Sequence, residues 1–215
     1  VLPYPSTDDL LDVTRSVGLD DRIADAVGRA LFGGFVDASA PVSLRAHQAE
    51  AIRHSFKPGD SPGRNVIVTS GTGSGKTESF LLPLLLRIAA EADRWSPQPT
   101  ANEWWTEKPG RSWSPLRAQE SRPAAMRSIV LYPTNALVED QVVRLRRSTR
   151  ALAASLPGRP IWFGRYTGVT PGGTKMPDKN PRAFREVAAS IRAAASEMDD
   201  LVSAGLPDSD LEQFS

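Results

Sequence analysis

The sequence has 215 residues, which is enough for one ordinary domain or for one domain with a small appendage. Its formal net charge is +1, so there is no overall basic field of the kind that attracts nucleic acids, and a basic surface would have to be local. Cysteine is absent, which excludes disulfides, thiolate catalysis and cysteine-bound zinc, and the presence of only two histidines argues against a histidine-based metal site.

Residues 1–40 are predicted to form a helical N-terminal segment. Thr7 or Asp8 is expected to cap a first helix, and Asp20 a second helix whose apolar residues recur at helical spacing. The stretch VSLRAHQAEAIRHSF predicts a further helix, which leads to the turn-forming stretch KPGDSPGRN. We therefore divide the chain into residues 1–40 and a second, incomplete domain of residues 41–215.

Three apolar runs alternate with helices in this second part. The runs are VIVTS, SIVLYP and PIWFGRYT, and the first is of the kind that a parallel sheet buries on both faces. The helices are expected from Lys76 to about Asp93, over NALVEDQVVRLRRSTRALAASL, and from Pro181 to about Ala204. This order predicts an α/β fold, a parallel sheet with flanking helices and right-handed crossovers. Residues 172–215 would form a helical extension.

Residues 95–123 interrupt the alternation with a Trp- and Pro-rich insertion that shows no periodicity. Compact domains rarely carry a loop of about 30 residues without a reason. Its aromatic side chains could stack on unpaired bases, or they could fasten the insertion to the domain. The second interpretation is favoured, and it concerns Trp95, Trp104, Trp105 and Trp113.

The stretch SGTGSGKT follows the first apolar run and opens the next helix. A phosphate-binding loop, or P-loop, needs a tight turn whose N–H groups converge on phosphate oxygens, with a helix N-terminus behind it. Lys76 would reach the β- and γ-phosphates, and the hydroxyl of Thr77 would bind Mg²⁺. Ser70 replaces the first glycine of the strict pattern, but this position chiefly has to be small. The sequence predicts a nucleotide site made of Ser70, Gly71, Thr72, Gly73, Ser74, Gly75, Lys76 and Thr77.

The continuation GKTESFLLPLL, together with this loop, resembles the DEAD/DEAH-box type of superfamily 2 helicases. Their loop begins with a small residue, and Phe80 and Pro83 occupy matching positions in the helix that follows. A proline early in a helix removes one backbone bond and bends it. The resemblance implies a RecA-like P-loop domain, ATP and Mg²⁺ as cofactors, helicase activity, and catalytic roles for Lys76 and Thr77.

The stretch LRAHQAEAI resembles the Q motif of these helicases, in which a glutamine reads adenine. Gln48 lies 28 residues before Lys76, which suits that motif. Its amide could both donate to and accept from the edge of adenine, and it would thereby select ATP over GTP. Phe32 or Phe35 could stack on the base, although core packing is the favoured role of both.

Two later stretches resemble nucleic-acid motifs of the same superfamily. LYPTNALVEDQ resembles motif Ia, and Pro133, Thr134 and Asn135 would hold the sugar-phosphate of a single strand, although Thr134 or Asn135 could equally cap the following helix. RYTGVTP resembles the next motif, in which Thr167 and Gly168 would touch the strand backbone. The implied partner is DNA, with RNA left open, and RLRRSTR is interpreted as a solvated helix face.

Within the superfamily, the resemblance is greatest to the bacterial Lhr-like and MrfA-like DNA helicases and to the DrmA subunit of the DISARM phage-defence system. It rests on TSGTGSGKTE, LYPTNALVEDQ and the Trp-rich insertion, and it runs from about residue 42 to residue 171. The pathways that it implies are DNA repair and phage defence.

Hydrolysis in this superfamily uses a D-E-x-[HD] box, and no such box follows Lys76. The chain therefore resembles the N-terminal part of a first RecA-like domain. We expect it to be inactive alone and to need further motor domains or a partner subunit. The alternative is a scaffold or regulator that does not hydrolyse ATP. The longest apolar run falls far short of the ~20 residues of a membrane span and no signal peptide opens the chain, so a cytoplasmic location is expected.

Overall fold

The computed structural model describes residues 6–33, 37, 40–57, 65–69, 71, 73–99, 101–106, 114–168 and 181–203. The chain falls into two compact units. The first comprises residues 1–97, 126–129 and 147–161, and the second comprises residues 98–125, 130–146 and 162–215.

Six helices, one short 3₁₀ turn and two short strands make up the regular structure of the described residues. In chain order they are β1 (Ser6–Asp9), α1 (Leu10–Arg15), α2 (Asp21–Phe32), β2 (Ser43–Arg45), α3 (Ala46–Phe56), α4 (Lys76–Ala92), the 3₁₀ turn (Trp104–Thr106), α5 (Asn135–Ser155) and α6 (Pro181–Ser203). The predicted helices that become α4, α5 and α6 are confirmed. None of the helices in this part of the chain is long and apolar enough to cross a membrane.

The caps of the first two helices test the predictions for the N-terminal segment. Asp20 caps α2, as predicted, because its Oδ1 accepts from the backbone N–H of Arg22 at 3.0 Å. The prediction of Thr7 or Asp8 as the cap of α1 is wrong, since Asp9 accepts from the N–H of Leu11 at 2.8 Å. Asp8 instead forms an ion pair with Arg53 of α3 at 2.8 Å.

Strands β1 and β2 form an antiparallel pair that the sequence analysis did not predict. Ser6 lies opposite Arg45, and Asp9 lies opposite Ser43. The prediction of a helix over VSLR is therefore wrong, and α3 begins only at Ala46. The physical reason is a two-residue alternation, in which Val42 and Leu44 are buried on either side of the exposed Ser43.

The core of the first unit forms between α2, α3 and α4. Amphipathic helices of this kind are held mainly by the apolar face that they bury, at about 25 cal/mol per Å² removed from water. The residues at this core include Ile23, Val27, Ile52, Leu82 and Leu86, all at most 2% exposed. The packing of α4 into this core fixes the position of Lys76 at its first residue.

The predicted parallel sheet is not shown by the structure. Strand pairing within the described residues is limited to β1 and β2. Ile67 in the first apolar run is 84% exposed, and Leu131 in the second is 85% exposed. An apolar run is stable as a central strand only when neighbouring strands take its backbone hydrogen bonds and packing elements cover both faces. The described residues provide neither for these runs.

Three tryptophans of the Trp-rich insertion contact other described residues. Trp95 donates from Nε1 to Glu91 of α4 at 3.3 Å, and the guanidinium of Arg127 lies 5.6 Å from the centre of its ring. In the second unit, Trp104 and Trp105 pack edge to face with their centroids 6.2 Å apart. Arg192 of α6 donates to the carbonyl of Trp105 at 2.6 Å. Trp113 lies outside the described residues.

A buried carboxylate organises the end of the insertion. The side chain of Glu120 is 3% exposed, and it accepts from Arg117 at 2.7 Å, from Arg122 at 3.3 Å and from the indole of Trp162. Burial raises the pKa of Glu120, but the hydrogen bonds from Trp162 and Arg117 and the charges of Arg117 and Arg122 outweigh it. The net result is a pKa below the usual value for glutamate.

We predict that Glu120→Gln lowers the melting temperature at pH 7 by on the order of 3 °C, because charge-assisted bonds are lost from a buried site. The stability that a carboxylate of lowered pKa contributes is present above its unfolded pKa and is lost as the pH falls through its folded pKa. The difference between Glu120→Gln and the parent protein should therefore shrink as the pH falls from 7 to about 3. Thermal unfolding across this range measures it, with Glu103→Gln as the exposed control from the same insertion. Equal losses in the two variants at pH 7 would contradict the role given to Glu120.

Candidate nucleotide-binding site

The P-loop turns into α4 through two glycines in the left-handed region. Gly73 has φ 70° and Gly75 has φ 77°, a conformation that side-chain-bearing residues rarely adopt. Gly75 is also the N-cap of α4, so the helix begins directly at Lys76. A tight turn of this kind at a helix N-terminus has backbone N–H groups and a helix dipole that suit an anion. Ser70 and Thr72 lie outside the described residues.

Lys76 and Thr77 occupy the first turn of α4. The Nζ of Lys76 donates to the carbonyl of Gly71 at 2.6 Å, so the cation of the loop is folded back onto the loop itself. Ser74, between the two glycines of positive φ, is 1% exposed. A phosphate that binds Lys76 would exchange a neutral carbonyl for an anionic oxygen, which makes the stronger bond.

Gln48 lies against the P-loop rather than in solvent. It is 4% exposed, and its Oε1 accepts from the backbone N–H of Arg45 at 2.9 Å. Its Nε2 donates to the carbonyl of Gly75 at 3.2 Å. The structure therefore brings the predicted adenine-reading residue and the loop together. Since an amide oxygen has two lone pairs and an amide nitrogen two hydrogens, one bonding position remains at each end, and adenine reading stays a prediction.

Arg45 is a residue of this site that the sequence analysis missed. It stands at the N-cap position of α3, and its Nη1 donates to the carbonyl of Gly73 at 3.0 Å. The signal available in the sequence was a basic residue three positions before Gln48 in LRAHQ. That spacing places both side chains at the start of one helix, on the side that meets the loop.

Phe80 and Pro83 take part in an apolar cavity and not in the loop. A cavity of about 260 Å³ is lined by Val66, Val68, Phe80, Pro83 and residues of α3. Arg87 lies at this cavity as well, with its guanidinium 4.8 Å from the ring centre of Phe56. The predicted aromatic Phe32 is the half-buried last residue of α2, and Phe35 lies outside the described residues.

The predicted strand-binding residues belong to the second unit. Pro133, Thr134 and Asn135 are exposed, and the carbonyl of Thr134 accepts from the N–H of Val138 at 3.3 Å, directly before α5. This is the position of an N-cap, so capping and strand binding are compatible roles for Thr134. Thr167 is 9% exposed, whereas Gly168 is exposed with open space around it.

Charged side chains in the same unit engage one another along α5. Arg165 forms an ion pair with Glu139. Burial, and then the charge of Arg165, lower the pKa of Arg146. The partly buried Arg146 therefore departs from the solvated face predicted for RLRRSTR.

Tyr132 directly precedes Pro133. Burial raises the pKa of Tyr132, and its phenolic oxygen makes no hydrogen bond within the described part of the chain.

Residues 45–162, more than half of the chain, match the model of the DEAD/DEAH box helicase family. The chain is 37% identical over 130 residues to the Druantia protein DruE of Escherichia coli strain UMEA 4076-1. That match covers 58% of this chain and 6% of the length of DruE. No solved structure matches the chain.

Two glycines of the loop provide a matched pair of substitutions. We predict that Gly75→Ala destabilises the protein more than Gly73→Ala does. Both place a side chain at positive φ, which costs roughly 1 kcal/mol, but only at Gly75 would the new Cβ lie 2.5 Å from the Nε2 of Gln48. Gln48 is buried and bonded at both ends, so it cannot move without losing a hydrogen bond.

Thermal unfolding of the two variants measures this difference. The Cβ of alanine at position 73 would meet no atom within 4 Å, so that variant reports the backbone strain alone. Equal losses of stability in both variants would show that the contact between Gln48 and Gly75 does not constrain the loop.

Proposed function

Because the chain belongs to the DEAD/DEAH box helicase family, we propose that it is the ATP-binding portion of an ATP-dependent DNA helicase or translocase. Family membership implies a RecA-like P-loop fold and a helicase-type ATPase. The observation that carries the proposal is the loop of positive-φ glycines that opens α4 at Lys76, with Gln48 bonded to it. All of these residues lie within the matched region.

The residues of the loop would divide the work of holding ATP and Mg²⁺. Residues 70–75 would surround the phosphates with backbone N–H groups, and Lys76 would leave the Gly71 carbonyl to bind phosphate oxygen. Thr77 would offer its hydroxyl to Mg²⁺, which supplies positive charge to the transferred phosphoryl group. Gln48 would read adenine through its remaining donor and acceptor positions.

We further propose single-stranded DNA as the substrate of the second unit. The exposure of Pro133, Thr134 and Asn135 at the start of α5 supports this role, since phosphate oxygens bind well to exposed N–H groups at a helix N-terminus. Thr167 and Gly168 would add a second contact to the strand. RNA is the alternative substrate.

We propose that the acidic residues for hydrolysis and the second motor lobe come from a longer chain or a partner subunit. The small share of DruE that this chain covers supports that proposal. Four further statements of the sequence analysis stay predictions. They are the division into residues 1–40 and 41–215, the Lhr-like, MrfA-like and DrmA-like subgroup, a role in DNA repair or phage defence, and a cytoplasmic location.

We predict that Lys76→Ala weakens the binding of a slowly hydrolysed ATP analogue to the full-length protein by at least about tenfold, because a charged bond to phosphate is lost. DNA-stimulated ATP turnover should fall with it. Lys57→Ala, which changes an exposed lysine at the end of α3, is the control and should bind as the parent protein does.

Each other outcome of this experiment has a definite meaning. Unchanged binding by Lys76→Ala would contradict the nucleotide site. Binding without turnover by the parent protein would favour the non-hydrolysing scaffold. Turnover by the isolated chain of 215 residues above that of its Lys76→Ala variant would contradict the expectation that it needs further motor elements.

The strand-binding proposal is tested by filter binding of single-stranded DNA and RNA, with and without the ATP analogue. We predict that Thr134→Ala weakens DNA binding severalfold, whereas Thr134→Ser retains the hydroxyl and most of the affinity. Loss of an N-cap alone costs about 1 kcal/mol of stability, so melting temperatures are measured in parallel. Tighter binding of RNA than of DNA would overturn the choice of substrate.

A further inference from the structure

Arg45 joins three parts of the first unit. Its backbone pairs with Ser6 as the last residue of β2, and its N–H donates to Gln48 at the start of α3. Its guanidinium reaches across to the P-loop and donates from Nη1 to the carbonyl of Gly73 at 3.0 Å. The backbone of Arg45 is therefore fixed by two elements while its side chain holds a third.

Three alternate carbonyls of the P-loop accept hydrogen bonds from side chains. Lys76 donates to Gly71, Arg45 to Gly73 and Gln48 to Gly75. Two of these donors are cations, so their bonds to carbonyl oxygens are charge-assisted and stronger than neutral ones. Arg45 and Gln48 lie outside the loop, only three positions apart in the sequence.

A fixed carbonyl fixes the next N–H group as well. The peptide unit is planar and trans, so its C=O and N–H point in opposite directions. The bond from Arg45 to the Gly73 carbonyl therefore sets the direction of the Ser74 N–H. The Gly75 carbonyl accepts from Gln48 and also from the hydroxyl of Ser79 of α4 at 3.3 Å, and these bonds together set the direction of the Lys76 N–H. These N–H groups are the kind of donor with which a P-loop binds phosphate.

We propose that Arg45 is a positioning residue of the nucleotide site, which orients the N–H groups of the P-loop through the carbonyl of Gly73. This inference rests on the proposed binding of ATP by the loop. A loop that is oriented before the ligand arrives loses less conformational entropy on binding, and affinity rises accordingly. In this role Arg45 acts through the Gly73 carbonyl and not through a bond of its own to the nucleotide.

The experiment compares Arg45→Ala, Arg45→Lys, Arg53→Ala and Lys76→Ala in the full-length protein. It measures the dissociation constants of ADP and of a slowly hydrolysed ATP analogue with Mg²⁺, the kcat and KM of DNA-stimulated turnover, and the melting temperature. Arg53 of α3 is the matched control. Its guanidinium forms ion pairs with Asp8 at 2.8 Å and with Glu50 at 2.9 Å, and neither partner belongs to the P-loop.

We expect Arg45→Ala to weaken ADP and the ATP analogue equally, by about fivefold, as for the loss of one exposed charge-assisted bond. KM should rise while kcat stays within about twofold, since the loop is oriented before chemistry. Arg45→Lys should recover part of the affinity, because an ammonium group can still donate to the carbonyl. Arg53→Ala should lower the melting temperature and leave both dissociation constants unchanged.

Three results would overturn the inference. They are unchanged nucleotide binding in Arg45→Ala, an equal loss in Arg53→Ala, and a loss confined to the triphosphate, which would place Arg45 on the γ-phosphate itself. Unchanged binding in Lys76→Ala would instead mean that the proposed function has failed. The failure of either idea is thus recognised separately.

Discussion

The buried amide of Gln48 is the contact on which the geometry of the candidate site depends. One end bonds the backbone of Arg45 and the other bonds the carbonyl of Gly75, so a single side chain joins α3 to the P-loop. A buried amide left without partners would cost about 1–3 kcal/mol, which makes separation of the two elements unfavourable. The absence of a side chain at Gly75 is what permits this contact, because a Cβ there would lie 2.5 Å from the amide nitrogen. The conformation of the P-loop and the position of α3 therefore depend on the same contact.

Much of the loop and its helix could be predicted, because their signals are local. The signals are the glycines that precede Lys76, the apolar stretch that follows it and a proline, and all of them lie within about twenty residues. Helix α4 begins at Lys76, as expected. The long helices α5 and α6 have the same local periodicity. The contacts of Gln48 and Arg45 could not be predicted with the same ease. They depend on which backbone carbonyls turn toward α3, and no pattern of residue types along the chain encodes that direction.

The strands, in contrast to the helices, could not be predicted from local composition. The run of β1 has no apolar residue, and the alternation at β2 is short, with Val42 just before the strand and Leu44 within it both buried. The runs around Ile67 and Leu131 have strong strand composition but lie exposed. Strand composition describes a preference for a half-buried or buried pleated surface, and it becomes a strand only where partners exist. The family relationship implies a RecA-like fold, which such patterns alone could not establish.

The pairing of β1 with β2 has a consequence for the order of events when the chain folds. Ser6 and Arg45 are separated by about forty residues, so their contact closes a long loop and forms late compared with contacts inside α2 or α4. On the ribosome, β1 emerges well before the strand with which it pairs. Because Arg45 belongs to β2, the support of the P-loop also involves residues of β1, which are synthesised well before the loop itself. A change in β1 that breaks its pairing with β2 would then act on a site more than sixty residues away along the chain.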